Sequence, residues 1–187
     1  SITGFDVPIL CLRTINNRFN NIYMSGRISA VEYSGKNETT DVWSHCTFFA
    51  SPIGINFLGS TIGVRFDHCL LEQIEYFGAQ LAKECQTICF NQCYTEDVPF
   101  SHTNSNSAVF RVGHTGSVGV VENAIEIIGG KYAGNNLVNV GSFIDFDDAN
   151  GGILMGFNAS RFKQVIKTSH RTKDNSILVN GVQGINW

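Results

Sequence analysis

Glu72 and Glu96 stand 24 residues apart, and each follows an aromatic residue, Phe66 or Phe90, by six positions. Asp97 adjoins Glu96, and Glu75 lies three residues beyond Glu72. Two carboxylates held on neighbouring segments repel when both are ionised, which raises the proton affinity of one of them. One protonated acid beside one ionised base or nucleophile is the pairing that hydrolyses a glycosidic bond. Carboxyl separations of about 5–5.5 Å go with retention at the sugar carbon and about 6.5–9.5 Å with inversion, and glutamate rotamers leave both open. Glu72, Glu96 and Asp97 are therefore the candidate catalytic residues. Arg65, Glu75, Asn91 and Tyr94 fall nearby, Arg65, Asn91 and Tyr94 at outward positions, as candidate substrate-binding residues. Charged groups, amides and an aromatic face suit sugar hydroxyls, carboxylates and rings.

The pair meets only if the chain repeats with that period. Phe19-Asn20-Asn21-Ile22, Trp43-Ser44-His45-Cys46, Phe66-Asp67-His68-Cys69 and Phe90-Asn91-Gln92-Cys93 match in kind, with steps of 24, 23 and 24 between their aromatics. Such self-similarity predicts a stack of like units. Alternation within each unit predicts strands: Val64, Phe66, Cys69 and Leu71 inward, Arg65, Asp67, Leu70 and Glu72 outward, with a corner at His68. Ile125–Gly130, Ile153–Ala159 and Ile177–Val182 continue the series. Secondary strands are expected at Ile28–Tyr33, Gly54–Leu58, Ile74–Phe77 and Leu137–Val140. The fold class is all-β, a parallel β-solenoid of about seven or eight rungs in one domain over 1–187, with a Ser/Asn/Gly-rich loop insertion at about 97–120.

Asn21, His45, His68, Gln92 and Asn158 fall in one column, where a ladder of side-chain hydrogen bonds is expected. Cys46, Cys69 and Cys93 fall in another, which predicts buried thiols filed through the core. Cys85-x3-Cys89-x3-Cys93 lacks the tighter paired spacing of a zinc site. Asp145–Gly152 lacks the closing Glu of a calcium loop and reads as a turn. No metal and no cofactor is expected. The sequons at Asn37 and Asn158 are read as unused.

Sixteen acidic against thirteen basic residues, with no Lys/Arg run, argue against a nucleic-acid partner. No apolar run approaches the roughly 20 residues that would enter and cross a bilayer. The chain starts and stops abruptly, as expected for a segment of a longer protein or one whose ends partner chains cover.

The aromatic-polar-His/Asn-Cys rungs and the Asn/Ser/Gly turns, over about positions 7 to 182, resemble the right-handed parallel β-helix of bacteriophage tailspikes and the related pectate-lyase-like polysaccharide enzymes. The resemblance implies a homotrimer of side-by-side helices on a virion, folded in the host bacterial cytoplasm. It also implies binding of a bacterial surface polysaccharide, capsule or O-antigen, with hydrolysis by a carboxylate pair. Two alternatives use the same scaffold. A lyase would need a cation against the substrate carboxylate, with Lys83 and Arg65 the available groups. A non-catalytic fibre segment would use a strip of Phe49, Leu70 and Tyr94 for contacts between chains.

Overall fold

The computed structural model describes residues 1–35, 38–99, 106–113, 124–134, 141–147, 151–168 and 177–183. Three parallel sheets of seven strands each run its length as the faces of a β-solenoid of about six turns, close to the rung number expected from the sequence. Sheet I holds Arg18–Asn20, Val42–Ser44, Arg65–Asp67, Ile88–Asn91, Ile125–Ile128, Gly152–Met155 and Ile177–Asn180. Sheet II holds Ile2–Phe5, Tyr23–Gly26, Thr47–Phe49, Leu70–Glu72, Tyr94–Glu96, Lys131–Ala133 and Asn158–Ser160. Sheet III holds Ile9–Cys11, Ser29–Tyr33, Ile53–Phe57, Phe77–Leu81, Ala108–Val112, Ser142–Phe146 and Gln164–Thr168. Each coil passes through sheets I, II and III in turn. No helix of the described residues is long and apolar enough to cross a membrane.

Register follows the sequence period. Phe66 pairs with Trp43 on one side and Phe90 on the other. Their side chains form an aromatic file inside the solenoid, with Phe19 on Trp43 at 3.9 Å between ring centroids, Trp43 and Phe66 at 6.2 Å, and Phe66 on Phe90 at 4.8 Å. Cys46, Cys69 and Cys93 are buried and unbridged. Their thiols reach carbonyl oxygens of the preceding coil, at Phe19, Trp43 and Phe66 respectively. At Cys69 the hydrogen bond from Cys46 favours the thiolate. The bond to Cys93 and burial outweigh it and push the thiol up to about 12, which keeps Cys69 in the unreactive thiol form.

The corner between sheets I and II turns on a single residue in the left-handed region. Asn21, His45, His68 and Gln92 adopt φ of 52–55°, and Gly129, Gly156 and Gly181 adopt 62–63°. Such a conformation costs a side-chain-bearing residue about 1–2 kcal/mol, and the turn into the next sheet imposes it on every coil. The predicted hydrogen-bonded ladder is corrected here. His45 and His68 meet as stacked rings 5.4 Å apart and 8° from parallel. Asn158 is not in the column: it pairs with Lys131 in sheet II, and Gly156 takes the corner. At Gly129, beside the Gln92 amide, glycine takes the left-handed corner without the cost a side chain would add.

Between sheets III and I the first coils are pinned by a buried polar cluster. Asp41 accepts from the Asn17 backbone at 2.8 Å and from the Tyr33 hydroxyl at 3.3 Å. The Trp43 indole donates to that same hydroxyl at 2.7 Å. Burial raises the Tyr33 phenol far above its ordinary range, so the hydroxyl remains a donor.

Three strand expectations shift. The strand sought at Ile74–Phe77 lies at Phe77–Leu81, because Ile74 is still buried in the turn that follows Glu72. Ala108–Val112, a regular sheet III strand, lies inside the stretch read as a loop, so the extra residues divide around it. Asp145 and Phe146, read as the start of a turn, end the strand Ser142–Phe146. Leu137–Val140, Asn37 and the His102 and His114 parts of the insertion lie outside the described residues.

Phe66 touches Trp43, Phe48, Phe57 and Phe90, so truncating it opens a void that several coils share. Phe66→Ala is expected to destabilise the fold by about 3–5 kcal/mol. Denaturant unfolding measures this, and a loss below about 1 kcal/mol would contradict the shared core.

Candidate functional site

Leu71 and Thr95 are fully buried, so their neighbours Leu70, Glu72, Tyr94 and Glu96 face outward from sheet II. The two strands pair Leu70 with Tyr94 and Glu72 with Glu96. The carboxylates thus share one column on adjacent strands, about 4.8 Å apart at the backbone. Beneath Glu96, the inward Thr95 hydroxyl accepts from Ala133 N at 3.1 Å and donates to Ala133 O at 3.4 Å. That bridge fixes the Glu96 strand to the next coil despite the extra residues between them.

Register extends the site on both sides. Glu72 pairs with Phe49, and Leu70 with Thr47, whose own partner is Tyr23. The Tyr23 and Phe49 rings lie 5.5 Å apart and inclined by 34°. Its pairing with Phe49 places Glu72 beside this aromatic pair, and burial and then the nearby Glu72 charge raise the Tyr23 phenol. Beyond the acids, Tyr94 pairs with Lys131 and Lys131 with Asn158. Lys131 is exposed and makes no ion pair with any described residue.

Other expected site residues are placed elsewhere. Asp97 occupies the corner between sheets II and III at φ 53°, in line with Gln73 and Ala50, and turns the chain away from the Glu column. Glu75 lies in the connection leading to sheet III and hydrogen-bonds the Tyr76 phenol, whose pKa that bond raises. Arg65 and Asn91 point outward as expected, but from sheet I, across the His68 corner from the acids. Both are engaged by Asp67: Arg65 Nε lies 2.7 Å and Asn91 Nδ2 2.9 Å from the same Oδ1. Tyr94 alone of the predicted binding residues shares the sheet of Glu72 and Glu96.

Of the Asp145–Gly152 stretch, Asp145 and Asp147 face cations of the protein itself. Lys167 Nζ lies 2.9 Å from Asp145, and Arg111 lies 2.9 Å from Asp147 and over the Phe77 ring at 5.2 Å. Among the described residues no cluster of His, Cys, Asp and Glu is arranged to hold a metal ion.

Tyr23 and Lys131 escaped the sequence reading for opposite reasons. Tyr23 is 24 residues before Thr47 and was accessible to the same subtraction that paired Glu72 with Glu96. Lys131 is 37 residues after Tyr94, and the additional residues hide the period. No protein-family model, no characterised protein and no solved structure matches the chain.

The electrostatic link between Glu72 and Tyr23 is directly measurable. Removing the charge in Glu72→Gln is expected to lower the Tyr23 pKa toward its ordinary value. Ultraviolet titration of the variant against the parent, with Tyr23→Phe to identify the signal, checks the shift. An unmoved Tyr23 titration would separate the acid from the aromatic pair.

Proposed function

We propose that the outer face of sheet II binds a bacterial surface polysaccharide, capsule or O-antigen, and hydrolyses it with Glu72 and Glu96. On this reading the chain is part of a bacteriophage tailspike, carried on the virion as a homotrimer after folding in the host bacterial cytoplasm. The observation that carries the proposal is the in-register Glu72–Glu96 pair flanked by the Tyr23–Phe49 rings. Carboxylates supply acid and nucleophile, and aromatic faces stack on the apolar face of a sugar ring. The solenoid fold and the resemblance of its rungs to tailspikes support the wider setting.

Of the two stereochemical outcomes open to a carboxylate pair on adjacent strands, the reading takes retention. Glu96, the more exposed, attacks the anomeric carbon while Glu72 gives its proton to the departing glycosidic oxygen. Water then attacks the same carbon, Glu72 takes a proton from it, and Glu96 leaves as carboxylate. The sum is one water added across the glycosidic bond.

Glu72→Gln and Glu96→Gln are each expected to lower cleavage by about 10²–10⁴-fold with polymer binding retained. Chain-length analysis of digests from a panel of bacterial polysaccharides measures it. Products with unsaturated, ultraviolet-absorbing ends would instead assign a lyase, and full activity in both variants would remove the pair from the mechanism.

Association of copies has its own support on sheet I. Ile128 pairs with Met155 and Ile153 with Leu178 on its outer face, and Met155 and Leu178 are 37% and 58% exposed. An apolar patch of this kind favours contact with a second copy. Sedimentation of the protein is expected to give a trimer, and Leu178→Asp a monomer. A monomeric parent protein would show that the patch faces solvent.

A further inference from the structure

We infer that the glycan taken by sheet II is acidic, and that Lys131 holds a carboxylate of the sugar lying next to the cleaved bond. The inference rests on the reading of sheet II as the glycan site and adds its substrate class.

Along the solenoid axis the outer face of sheet II changes character in a fixed order. Tyr23 and Phe49 come first, then Glu72, then Glu96, then Lys131. Lys131 stands one strand beyond Glu96 in the adjoining column, against Tyr94. Arg161 extends the basic end. Ser160 pairs with Ala133, so Arg161 shares the corner line of Asp97 with only Gly134 between them. Both cations are exposed.

What sets these two apart is their place on or beside sheet II next to the Glu72–Glu96 pair, with no internal acid of their own. Arg27, Arg65, Arg111 and Lys167 each hold an aspartate at 2.7–2.9 Å. Lys131 and Arg161 hold none among the described residues, although Glu96 and Asp97 stand on the neighbouring coil. An ammonium left open beside two carboxylates offsets the repulsion those acids would exert on an anionic polymer. A neutral glycan needs no such group. The polymer therefore runs along the axis across successive rungs, a ring without charge on Tyr23 and Phe49, the bond to be broken over Glu72 and Glu96, and the carboxylate-bearing sugar at Lys131.

The test uses a panel of purified bacterial capsular polysaccharides, each in native and carboxyl-reduced form, with binding measured by titration calorimetry. The intact protein is expected to bind a hexuronate-bearing polymer roughly fivefold more tightly than its reduced form. Lys131→Gln should erase that preference, Lys131→Arg should keep most of it, and Phe49→Ala should weaken native and reduced polymers alike. Equal binding of native and reduced forms overturns the acidic assignment and leaves the glycan site standing. Binding of neither form by the unaltered protein overturns the site and the inference together. Because carboxyl reduction alters only the ligand, the answer does not depend on any variant folding.

Discussion

Registered hydrogen bonding between consecutive coils is the constraint on which everything else in this protein depends. Each strand donates to and accepts from the strand one turn away in a parallel ladder, so every residue sits over its equivalent in the next coil at a spacing of about 4.8 Å. Slippage by one residue would put Phe66 outside and Arg65 inside. The buried aromatic file and the thiol file hold the register from within, since neither has an apolar alternative on the outer face. The left-handed residues at the sheet I–II and II–III corners hold it too, because each reverses the alternation at a fixed point of the coil.

The same constraint makes a chemical site out of residues that are distant in the chain. Glu72 and Glu96 are neighbours because their strands are, and like charges so placed must be tolerated by something nearby. The Tyr23–Phe49 pair on one side and the cations Lys131 and Arg161 on the other give the face its polarity along the axis. A solenoid suits this arrangement, since an extended polymer can lie across several coils with each contributing one contact. The corner at His68 has the opposite effect. It turns the outer face of sheet I away, and Arg65 and Asn91 settle on Asp67 instead of joining the acids.

Sheet III keeps its register through all seven strands. Polar residues line the outer face of that sheet in register, from Asn56 and Gln80 to Arg111, Asp145 and Lys167. Two pairs meet along the column, Gln80 3.5 Å from Asn56 and Asp145 2.9 Å from Lys167, while Arg111 reaches Asp147 outside it at 2.9 Å. Pairing of this kind between adjacent coils lets Asp145 be buried on the outside of a solenoid with its complement at hand. Sheet II, by contrast, leaves Glu72, Glu96 and Lys131 without an ion-pair partner among the described residues, and on the proposed reading this difference separates a structural ladder from a face open to a ligand.

The amino-acid sequence by itself determined the period, the inward and outward faces of sheets I and II, and the pairing of Glu72 with Glu96. Those follow from spacing alone, because in a parallel stack residue separation along the chain translates directly into a column. It could not determine where sheet boundaries fall once extra residues interrupt the period, which is why Asn158 was placed in the wrong column and Lys131 was not placed at all. Nor could spacing show that His68 lies at a corner sharp enough to divide Arg65 and Asn91 from the acids. Which outward residues share a face depends on the angle between sheets, and that angle is fixed by backbone conformation at single residues and by packing across the core, quantities that exist only in the folded chain.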